Sequence, residues 1–134
     1  MATLAEEMKA HALEAQKFSR KHLVLELDFS ESSVRELENH YDTLAYALKG
    51  GGSQENVALL TRIWGAYIGE SLRRATGAEW IEEAGTTERR IGLKGRQGTI
   101  IYPHEVIGQR LFDRQAGNVL EFFQAARDTL KNDQ

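Results

Sequence analysis

Apolar residues recur every three or four positions as far as Thr76, then every two positions once Gly77 has been passed. The first spacing belongs to amphipathic helices and the second to half-buried strands. A chain that changes period in this way must build a helical layer and a sheet and lay one on the other. The expected fold is therefore α+β: a helical layer packed on a small antiparallel β-meander of three to four strands. At 134 residues and 41% hydrophobic content, one domain over 1–134 can bury a core without staples. The absence of cysteine removes disulfides, CxxC redox centres and thiolate metal sites from consideration.

The helical part divides by its caps. Thr3 followed by Glu6 reads as a capping box opening a helix to about Lys21. Leu4, Met8, His11, Ala15, Phe18 and His22 share one face of it. Residues 1–22 are thus an N-terminal helix whose stripe docks on the core at 23–134, or serves as an appendage or dimer element. Leu23, Leu25 and Leu27 alternate, which predicts a short strand over 23–28. Ser30 caps a second helix, with Glu31 in its first turn, Phe29 and Val34 as a staple, and an inner stripe of Val34, Leu37, Tyr41, Leu44 and Leu48. Gly50-Gly51-Gly52 ends it. Ser53 caps the third helix, which runs to about Thr76 and carries Val57, Leu60, Ile63, Trp64, Tyr67, Ile68 and Leu72.

Beyond Gly77 three strands are expected over 79–83, 90–94 and 99–102, with turns at 85–87 and 95–98. The single proline, Pro103, suits the first position of a short helix through Phe112. Asn118 with Glu121 caps a last helix whose inner face is Val119, Leu120, Phe123, Ala126 and Leu130.

The least ordinary segment is Gly65-Ala66-Tyr67-Ile68-Gly69-Glu70. Each glycine inside a helix costs ~1 kcal/mol relative to alanine. Gly65 and Gly69 lie four apart and make a smooth strip, which is read as structural packing against another helix or the sheet. A ligand lying on the strip is the functional alternative. Glu70 has Arg73 and Arg74 within one turn, so an ion pair is the plain reading, and an unpaired buried acid would be a candidate acid or base.

Leu27-Asp28-Phe29-Ser30, then Trp64-Gly65-Ala66-Tyr67-Ile68-Gly69-Glu70-x-Leu72-Arg73-Arg74, then Gly77-x-x-Trp80 carry a resemblance. Over about 25–123 the chain resembles a family of small bacterial domains of uncharacterised function, marked by a G-A-Y-x-G-E helix followed by G-x-x-W. The resemblance implies helices with a small sheet and supplies no catalytic residues. Only Gly65, Gly69, Glu70 and Trp80 carry over as matching positions. Ala78 stands where a second glycine is expected.

Trp80 opens the first strand, where a tryptophan fills the layer between helix and sheet and its indole N–H needs a partner. With Tyr67, Glu70, Tyr102 and His104 it forms the candidate pocket or interaction site. His11, His22, His40 and His104 show no metal-ligand spacing, so no metal site is expected. Gly50–Gly52 lacks the strand before it and the lysine after it that a phosphate loop needs. Arg89, Arg90, Lys94 and Arg96 are balanced by Glu79, Glu82, Glu83 and Glu88. With a net charge of −3, a nucleic-acid face is not expected.

No apolar run approaches the ~20 residues of a membrane span, and the N-terminus is acidic, which points to the cytoplasm and to no membrane partner. The function expected is a non-enzymatic intracellular interaction or accessory module without catalytic residues or cofactor. Its partner is an unknown protein, or a second copy met through the first helix. The alternative is a small-molecule-binding protein or enzyme with a pocket around Glu70 and Trp80.

Overall fold

Helix α1 (Leu4–Leu23) starts at Thr3, whose hydroxyl accepts the Glu6 amide at 3.1 Å and so satisfies one of the donors a helix N-terminus leaves open. The computed structural model describes residues 2–49, 54–83, 89–112 and 118–132, with backbone alone over 41–49, 54–56 and at 112. The Gly50–Gly52 connection with Ser53, the turn at 85–87, and the side chains of Tyr41, Leu44 and Leu48 therefore lie outside the described residues. Five helices and a three-stranded antiparallel sheet make up the α+β fold that those residues form.

The seam of α1 is Met8, Ala12, Ala15 and Ser19, and it lies along the third helix, α3 (Gln54–Thr76). Small residues at 12, 15 and 19 let the two helices approach closely. Leu4, His11 and Phe18 flank this seam half-buried, while His22 is exposed and rests on the Phe18 ring at 4.6 Å. The second helix, α2 (Glu31–Lys49), begins where the Ser30 hydroxyl accepts the Ser33 amide at 3.2 Å, and it buries Val34 and Leu37.

The short strand expected over 23–28 is not formed. Leu23 ends α1, and Val24 turns the chain back with left-handed backbone angles of φ 51° and ψ 46°. The Val24 and Leu25 amides both return to the Ser19 carbonyl, which closes the helix instead of starting a ladder. With no strand beside it, the segment bonds to side chains: Gln16 Nε2 donates to the Leu27 carbonyl at 2.7 Å. Alternating leucines at 23, 25 and 27 therefore report a packed connector in which Leu27 alone is fully buried.

Helix α3 is the central element and touches each of the other four helices. It buries Leu60, Ile63, Trp64, Ala66, Tyr67, Ile68 and Leu72. Gly77, at φ 78°, ends it by donating its amide to the Arg73 carbonyl at 2.8 Å. Strands β1 (Glu79–Glu82), β2 (Ile91–Lys94) and β3 (Ile100–Ile101) follow in that order, with Trp80 opposite Leu93 and Leu93 opposite Ile101. Trp80 and Leu93 are the buried side chains of this sheet. Helix α4 (Pro103–Phe112) leaves β3 with Pro103 at its first position and returns over α3. In α5 (Val119–Asn132), Asn118 Oδ1 accepts the Glu121 amide at 3.0 Å, while Glu38 on α2 accepts the Val119 amide at 2.7 Å. Among the described residues no helix is long and apolar enough to cross a membrane.

Candidate functional site

The glycine strip of α3 is a recess for two side chains. A Cβ on Gly69 would stand 2.0 Å from Cη2 of Trp80, so the indole of β1 occupies the space that an alanine there would need. A Cβ on Gly65 would stand 2.5 Å from Cδ2 and 2.8 Å from Cα of His104, so the first turn of α4 lies directly on the helix backbone. The two guests touch each other, with ring centroids 5.9 Å apart.

Glu70 lies one residue beyond this recess and is 1% exposed. Burial would push its carboxyl up, but hydrogen bonds from Arg73 and from the Trp80 indole, with the charges of Arg73 and Arg74, hold it below the ordinary carboxylate value. Arg73 makes a two-point contact at 2.9 and 3.0 Å, and Trp80 Nε1 donates to Oε1 at 2.8 Å. The carboxylate therefore orients the indole that fills the Gly69 recess. Glu70→Gln keeps an acceptor for Trp80 but loses the charge. It is expected to lower unfolding stability by about 2 kcal/mol, less than for a fully buried pair because Arg73 reaches solvent. Chemical denaturation measures it, and an unchanged midpoint would show that the pair holds nothing together.

The five side chains expected to line one pocket go to different places. Tyr67 points the other way from the glycine strip: its hydroxyl accepts the Phe29 amide at 2.8 Å and meets Ser33 Oγ at 2.5 Å. Tyr102 lies on the sheet side, bonded to Glu83, with the Arg90 guanidinium 3.7 Å above its ring. Only Glu70 with Trp80, and Trp80 with His104, are in contact. A cleft of about 580 Å³ borders Glu70 and Trp80, between the start of α1 and residues 77–79. In that cleft, both carboxylate oxygens of Glu70 already accept hydrogen bonds.

A larger cleft of about 800 Å³ opens at the other side of His104, between α1, α3, the start of β2 and α4. Met8, Ala58 and Ile91 give it apolar wall. Its polar lining includes Glu7, His11, Thr61, Arg62, Arg89 and His104. Burial pushes the His104 imidazole down to about 4, the nearby His11 adds to this, and a hydrogen bond to the backbone of Arg62 opposes it. Burial, aided by the positive charge of Arg62, likewise lowers His11. Both rings are therefore neutral at pH 7. In each, Nδ1 is buried without a hydrogen-bond partner. Such atoms cost free energy unless something meets them.

The arginines around this cleft differ in how firmly they are held. Arg89 donates to both oxygens of Glu7 at 2.7 and 2.9 Å and to Glu82 at 2.8 Å. Arg90 is tied to Glu105 and Glu83. Arg62 reaches Glu14 only at 3.5 Å. Sequence reasoning did not assemble this site. Glu7 and His11, four apart on α1, were the one legible hint, and no spacing connects them to Arg62 or His104.

Among the described residues no group of three or more histidine or acidic side chains is placed to hold a metal ion. The fold and site define an α+β domain with a histidine-lined cleft beside a glycine-strip helix. Compared with family models, curated proteins and solved structures, the chain matches none.

Proposed function

We propose that this chain is a non-enzymatic accessory module of the cytoplasm, acting through a small molecule bound in the cleft between α1, α3 and α4. The observation that carries this reading is an opening of about 800 Å³ walled by Met8, Ala58 and Ile91, with His11, Thr61, Arg62 and His104 in the same lining. Pockets of ~300–1,000 Å³ with apolar walls and a few convergent polar groups suit small ligands.

The cleft near Glu70 and Trp80 is the weaker candidate, because its acid is committed to Arg73 and to the indole. Screening the isotope-labelled chain against a chemically mixed fragment set by NMR tests the choice. Hits should move resonances of His11, Thr61, Arg62 and His104. Hits confined to Lys9, Arg73 and Glu79 would transfer the site to the other cleft, and silence at both would end the small-molecule reading.

A further inference from the structure

We infer that the outward face of α1 is a docking surface for an acidic, amphipathic helix of a partner protein. This face lies away from the seam of α1 with α3 and is independent of the cleft described above. At about 100° per residue, Lys9, Leu13, Lys17, Arg20 and Lys21 fall within an arc of about 120°, and all five are exposed. Val24 follows at the end of the helix. Leu13 and Val24 are the exposed large hydrophobic side chains of the described residues, at 47% and 92%. A single exposed leucine needs no explanation, but Val24 does. Its φ of 51° suits glycine or asparagine at a helix end and strains a β-branched residue. Its side chain stands in solvent, so no packing offsets that strain. Neither local conformation nor the core accounts for a valine there, whereas an apolar contact from outside the chain does.

The charge of the face identifies what makes that contact. Arg20 is held by Glu26 at 2.8 Å, and Glu14, which borders the arc, is approached by Arg62 at 3.5 Å. Lys9, Lys17 and Lys21 have no acidic partner among the described residues. Lys21 complements the helix dipole in the last turn, but Lys9 and Lys17 lie too far from that end to do so. The chain as a whole carries −3, so this positive charge is a local concentration. Leu13 and the end of α1 stand about 15 Å apart, with Lys17 between them. A three-turn helix with an apolar residue near each end and acids between them matches that pattern in length and in charge. A second copy of α1 does not match, because pairing on this face would set lysine against lysine. Two aliphatic side chains this far apart are also too little apolar surface to seat α1 in a lipid surface.

The probe is a synthetic helical peptide with a leucine near each end of one face and glutamates on the turns between them. Its control carries lysines in place of the glutamates, and phosphatidylserine–phosphatidylcholine vesicles form a lipid arm. Titration into the isotope-labelled full chain is followed by NMR and by calorimetry. The acidic peptide should bind roughly tenfold tighter than its control and move amide resonances over 9–24. Val24→Asn should weaken that binding roughly fivefold while raising Tm by about 3 °C, since asparagine accepts the left-handed backbone. Equal binding of the two peptides, or no response of α1 to the acidic one, would overturn the inference. So would preferential binding to the vesicles, self-association of the chain through α1, or a Val24→Asn variant less stable than the parent.

Discussion

Alanine at Gly69 is expected to lower the stability of this chain by about 3 kcal/mol, which is roughly 10 °C in Tm. Helix propensity taken alone forecasts the opposite, a gain of ~1 kcal/mol. The packing decides the sign, because the new methyl would sit 2.0 Å from Cη2 and 2.4 Å from Cζ2 of Trp80. That ring has little freedom to retreat: it is 8% exposed and its Nε1 is anchored to Glu70. Phenylalanine at 80 lacks both atoms that would collide. In a Trp80→Phe background Gly69→Ala should therefore cost close to nothing, giving a coupling of about 3 kcal/mol in a double-mutant cycle. Additive effects, or a Gly69→Ala variant more stable than the parent, would remove the recess as the reason for the glycine.

Acid is expected to destabilise the chain in two stages, and the first belongs to His104. In the unfolded chain this imidazole takes a proton near its ordinary value of 6.5, whereas in the fold it stays neutral down to about 4. Between those values the unfolded state binds more protons, so stability falls as the pH is lowered. The shift corresponds to at most about 3 kcal/mol, complete near the lower value. His11 is shifted the same way and adds to this stage. The carboxyls of Glu7, Glu70 and Asp28 are also lowered from their ordinary values of 4.5 and 3.8, so their contribution is present above those values and lost beneath them. Denaturant midpoints measured from pH 8 to 3 should begin to drop near 6.5 in the parent chain. In His104→Phe, which keeps a ring over Gly65, the drop between 6.5 and 4.5 should shrink to the part due to His11. An identical profile in the variant would show that His104 is not held neutral by the fold.

Much of the architecture was legible because it is written in local rules. Thr3, Ser30 and Asn118 cap their helices through the bonds their side chains can reach, and Pro103 starts α4 where a missing amide hydrogen is harmless. Gly77 marks the stop of α3, at the point where the period changes. The failure at 23–28 has a physical cause. Alternation over six residues says which side chains turn inward, but a strand also needs a neighbour to pair with, and Val24 adopts a backbone conformation that a β-branched residue rarely takes.

The candidate site was less legible. Each residue of a helix turns about 100° from the last, so Tyr67 stands about 200° from Gly65 and cannot share its recess. That part was available from the sequence. Where β1 and α4 land on α3 was not, because their approach is set by tertiary packing. Gly65 and Gly69 pointed to close contact without saying that the visitors would be His104 and Trp80.

The recess also bears on how the molecule comes apart. Two glycines remove ~2 kcal/mol of intrinsic helicity from the middle of α3. The helix is thus weakest by itself at the place where its neighbours press hardest. An isolated segment 60–74 has little reason to stay wound, and the indole and imidazole have no seat until it does. Winding and docking are therefore one event. Loss of side-chain packing is expected to unwind the middle of the central helix with it.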